Sequence, residues 1–167
     1  MHAAARIQPA AILETTLEPS VTYDAKNQQI HATVIVSLPQ GAGDLVYQTP
    51  LIGVPGPGDL GNAWTVFWKV LPGEGLTSVT FEAGDGIVVP ASGTSLPPNV
   101  HASDSQMGSS LDEWQITIAN TVTGTNSFNY DITCVGIPSG PSAEVGLKRF
   151  TTTTHDPTIV VTKDPIG

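Results

Sequence analysis

Two tryptophans, Trp64 and Trp68, come nearest in type and spacing to a binding chemistry. On a β-strand they share a face and stand ~13 Å apart. Flat indole rings at that separation can form a platform for sugar rings. The same face also carries Val66 and Val70, while Phe67 and Leu71 lie opposite. A strand that is apolar on both faces is ordinarily central and covered. A core position is therefore the first expectation for the two tryptophans, and an exposed glycan platform is the alternative. His101 and Asp104, inside a long polar stretch, are two further candidate binding residues.

The other reactive side chains do not assemble into a catalytic pattern. His2, His31, His101 and His155 lie far apart, without the paired spacing typical of zinc ligands. His155 and Asp156 are neighbours, and adjacent strand residues point to opposite faces. Asp156 before Pro157 reads instead as the start of a turn. The single cysteine, Cys134, excludes an internal disulfide. No His or Met follows it within ten residues, as a blue-copper site would require, so a buried, inert thiol is expected.

Gly56 to Gly61 spells GxGxxG, but a dinucleotide site needs a helix after the glycines. Here Pro55 and Pro57 flank the first glycine and a strand-like run follows, so a plain loop is expected. No GxSxG nucleophile elbow occurs. Asp104, Asp112, Glu113, Glu82 and Asp85 lack the alternating pattern of a calcium loop and read as solvated turn carboxylates. No catalytic residue, cofactor or metal site is therefore expected.

Charge narrows the partners. With a formal net charge of −9 and six basic residues in 167, the chain is unsuited to nucleic acid or to an anionic membrane surface. No apolar run approaches the ~20 residues of a membrane helix. Met1 to Arg6 lacks the apolar region of a signal peptide, so none is expected. Nothing in the composition assigns a compartment.

The elements that must position any site are strands. Trp114, Ile116 and Ile118 alternate with polar residues, and after a turn Phe128, Tyr130, Ile132 and Cys134 form a second apolar row. Read as one hairpin from Glu113 to Val135, a three-residue loop Thr123 to Thr125 pairs Ile118 with Tyr130, Ile116 with Ile132 and Trp114 with Cys134, and a five-residue loop Thr123 to Ser127 is the alternative. A second hairpin turns at Asp24 to Asn27, with Asn27 left-handed, into Gln29 to Ser37. Its Ile30, Ala32, Val34 and Val36 face inward, and His31 and Thr33 face away.

Further strands fall at Leu45 to Ile52, Trp64 to Leu71, Ser78 to Phe81, Ile87 to Val89, Val145 to Thr153 and Thr158 to Thr162. The stretch from Pro90 to Leu111 has no periodicity and is either a functional excursion or hides a short strand near Val100-His101.

With 17 Gly and 14 Pro spread along the chain, this pattern predicts nine to eleven short strands and no helix longer than a turn. One all-β domain over residues 1–167 is expected. Its fold is read as an antiparallel β-sandwich, immunoglobulin-like or jelly-roll-like, with a closed barrel as runner-up. The function expected is non-enzymatic: an interaction or self-assembly module whose partner is itself or another protein, with a glycan as the alternative ligand. Ala10 to Leu17, where Glu14 is the sole charge, is a strand-edge candidate.

Overall fold

The computed structural model describes residues 17–103, 106–108, 110–121, 124–140, 148–151 and 157–162. The strand-edge candidate therefore lies outside the described residues except at Leu17, as do Asp104 and His155.

Alternation of apolar and polar residues produces two stacked layers of strands. The larger layer holds β1 (Ser20–Asp24), β2 (Gln29–Ser37), β5 (Ala63–Pro72), β10 (Glu113–Asn120) and β8 (Val100–Ala102) in that spatial order. In the same sheet β3 (Val46–Gln48) pairs with β2, and β9 (Gln106–Met107) with β10.

Opposite lie two smaller sheets: β11 (Thr125–Asn129), β14 (Thr158–Thr162) and β4 (Ile52–Val54) in that order, and β13 (Lys148–Thr151), β12 (Asp131–Pro138) and β6 (Leu76–Phe81) in that order, with β7 (Ile87–Val88) pairing with β12. Only Tyr130 separates β11 from β12. The sheets are mostly antiparallel and do not close into a barrel, as in a β-sandwich. Two pairings are parallel, β2 with β5 and β14 with β4. The β8 strand is the short strand expected near Val100-His101, and β9 lies in the same polar stretch.

The inner faces supply one core. Ile30, Val34, Trp64, Val66, Trp68, Trp114, Ile116, Ile118, Tyr130 and Ile132 are all buried in the same cluster. Two tilted ring pairs hold the layers together: Trp68 with Tyr130 at 5.3 Å and Phe81 with Trp114 at 5.6 Å between centroids. Offset and tilted rings suit the aromatic quadrupole. Polar clasps add direction. The Tyr47 hydroxyl accepts the Cys134 backbone N–H at 3.1 Å. The buried Asn120 amide donates to the carbonyls of Thr162 (2.8 Å), Pro55 (3.2 Å) and Val54 (3.4 Å).

Two local expectations are corrected. The Glu113–Val135 hairpin does not form: β10 pairs with β5, β8 and β9, whereas β12 pairs with β13, β6 and β7. Both apolar rows are buried, but they belong to different layers. In the turn after β1, the left-handed residue is Gln28 (φ 50°), not Asn27. Asn27 instead donates its backbone N–H and side-chain amide to the Asp24 carboxylate, which those bonds hold below its ordinary pKa.

Candidate functional site

Strand β5 is central in the larger sheet, and its two faces have separate roles. Trp64, Val66, Trp68 and Val70 point inward and are buried. Trp64 and Trp68 are 3% and 1% exposed, so the expected alternative of a solvent-facing platform from these two rings is corrected. Each indole N–H is also used internally, Trp64 toward Gly56 O at 3.1 Å and Trp68 toward the Tyr130 hydroxyl at 3.3 Å. A buried indole ordinarily finds such a partner.

Thr65, Phe67 and Lys69 form the outer face. Strand register aligns Thr22, His31, Phe67, Gln115 and Gln106 in one row across the sheet. The next row sets Thr33, Lys69 and Glu113 side by side. Exposed His31 stacks on half-buried Phe67 at 5.0 Å with an interplanar angle of 11°. The hydroxyls of Thr65 and Thr117 are 3.1 Å apart. Between these side chains lies a groove of about 390 Å³, lined by His31, Thr33, Phe67, Lys69, Glu113 and Gln115 among others.

The edge of the same sheet is the second feature. Strands β1 and β3 both pair with the same side of β2, one with its first half and the other with its last three residues. Asp24 is the single charge in the two strands. Leu17 and Val46, both exposed, help line a groove of about 560 Å³ with Ile35, Ser37, Gln48 and Glu74. At the far end of β1, the Tyr23 hydroxyl donates to Gly53 O at 2.8 Å and accepts Gly53 N–H at 3.1 Å.

The other reactive groups occupy structural positions. Exposed His101 lies on β8 opposite Ala119, away from the groove row. The GxGxxG stretch leads into strand β5 and is held by buried Gln28. The Gln28 amide donates to Gly61 O and Ala63 O, and its carbonyl accepts Leu60 N–H at 2.7 Å. A Cβ on Gly58 would sit 2.5 Å from that carbonyl oxygen, which accounts for the glycine. Burial pushes the Cys134 thiol up to about 12. Ser110 bridges the carboxylates of Asp112 and Glu113. Among the described residues, no three His, Cys, Asp or Glu side chains gather as metal ligands, and no helix is long and apolar enough to cross a membrane.

Sequence reading missed His31 and Phe67 as a pair. Their only signal was parity: both lie on the faces of their strands opposite the main apolar rows. No family model, curated protein or solved structure matches this chain.

Proposed function

We propose that this chain is a non-enzymatic β-sandwich interaction module, associating with itself or another protein through the edge formed by β1 and β3. One observation carries the reading. Exposed Leu17, Tyr23 and Val46, at 47%, 42% and 45%, lie on or beside that edge. Edge strands offer backbone donors and acceptors to another strand, and soluble proteins ordinarily blunt them with charge. Asp24 is the single charge in these two strands. Strand addition gives affinity through the backbone, and flanking apolar side chains give it selectivity.

Sedimentation velocity over a wide concentration range tests the self-associating form. The expected result is a species heavier than the 17.4 kDa monomer. Val46→Lys, which places a charge on the edge, should weaken its formation roughly tenfold. A strict monomer at every concentration, unchanged by removal of residues 1–9, defeats self-association and leaves a partner from another chain.

A further inference from the structure

We propose that the groove on the outer face of the larger sheet binds a neutral oligosaccharide, with Phe67 and His31 as the stacking surface. This site is separate from the β1–β3 edge and does not depend on the reading given for it.

Placement is the first ground. Phe67 is on the central strand, on a face whose other groove-lining outward side chains all carry hydrogen-bonding groups. Its ring stacks nearly parallel to His31, so the pair presents aromatic surface amid polar neighbours. Strands are about 4.8 Å apart, so the groove-lining row from His31 on β2 through Phe67 on β5 to Gln115 on β10 reaches across roughly 10 Å. That width suits two or three sugar units of a longer chain lying across the strands. A peptide would instead be captured along an edge, where backbone groups are available.

Available polar groups are the second ground. The side chains of Thr33, Lys69 and Gln115 have no hydrogen-bond partner among the described residues. Lysine only donates, a carboxylate only accepts, and Gln and Thr do both. Sugar hydroxyls donate and accept, and the C–H face of a pyranose packs on an aromatic ring. A mixed apolar and polar groove of about 390 Å³ lies within the usual size of a ligand site.

Charge selects among sugars. Lys69 and Glu113 are directly paired across β5 and β10, so their formal charges offset one another. The chain as a whole carries −9 and repels a polyanion. A neutral glycan therefore fits better than an acidic one.

Calorimetric titration of the full chain with hexaoses of β-1,4-linked glucose, xylose and mannose tests this, with polygalacturonate as the acidic comparison. At least one neutral hexaose should bind in the micromolar to millimolar range. Phe67→Ala should weaken that binding roughly tenfold or more through lost stacking. Lys69→Ala, at an exposed position, should weaken it too and checks the site without touching an aromatic ring. Val46→Lys should leave it unchanged, which keeps a failure here distinct from a failure of the edge reading. No neutral hexaose bound at millimolar concentration, binding of polygalacturonate alone, or unchanged affinity in both groove variants would overturn the proposal.

Discussion

Replacing Asn120 by leucine tests how the two layers are fastened. The side chain is 1% exposed, and its amide donates to three carbonyls beyond its own sheet. Leucine has the same number of side-chain heavy atoms, branched at the same carbon, but no donor. It leaves the Thr162 and Pro55 oxygens, at 2.8 and 3.2 Å, without that partner. A buried polar group stripped of its partner costs about 1–3 kcal/mol, and because the Thr162 bond is only part-buried the pair sets an expected loss of about 2–4 kcal/mol. With a urea m-value near 2 kcal/mol/M, the unfolding midpoint should fall by roughly 1–2 M.

Asn120→Asp provides the control. Its carboxylate would face carbonyl oxygens, so the folded state favours the protonated acid and raises the pKa above an unfolded value of about 3.9. The unfolded state then releases its proton first. Stability relative to the parent should therefore fall as pH rises from about 4 toward 7. A midpoint shift in the leucine variant worth less than about 0.5 kcal/mol, or an aspartate variant whose deficit is flat with pH, would refute the clasp.

Ile116→Ala should cost about 2–4 kcal/mol in urea unfolding, because the residue is 1% exposed and its loss leaves a cavity. Gly86→Ala would place a Cβ 2.6 Å from Trp114 Cε3 and 2.8 Å from Phe81 Cβ; the displaced ring pair should cost about 1–3 kcal/mol and alter the near-UV dichroism. Cys134 should resist alkylation in the folded chain and react on unfolding. Because burial raises its folded pKa to about 12 against an unfolded value of about 8.5, its contribution is complete below about 8.5 and is lost toward 12. Stability should therefore decline over that alkaline window, and Cys134→Ala should flatten the decline.

Parity was legible in the sequence and partnership was not. The rows Trp114–Ile118 and Phe128–Cys134 are both buried, as period-two alternation required. Two strands that share a hairpin and two that face each other across a core give the same alternation, so the row alone did not select between them. The strand hidden beside His101 followed from the implausible length of a structureless loop. For Trp64, Trp68 and Phe67 the difficulty was different. The sequence showed a strand apolar on both sides, but which side turned outward depended on β2 and β10, its neighbours from distant parts of the chain. Once Thr33, Lys69 and Glu113 are aligned, the outward side is plain.

The order β11–β14–β4 has a consequence for biosynthesis. The middle member of that trio is the last to be translated, and it joins β4 in parallel across a very long sequence separation. While the ribosome is still making the polypeptide, β4 and β11 each lack the neighbour that completes them. Non-local pairing of this kind is slow, and unpaired edges invite neighbouring nascent chains. Premature termination before Thr158 would leave a vacant slot between two strands. A synthetic peptide copying Thr158–Thr162 could fill that slot in trans.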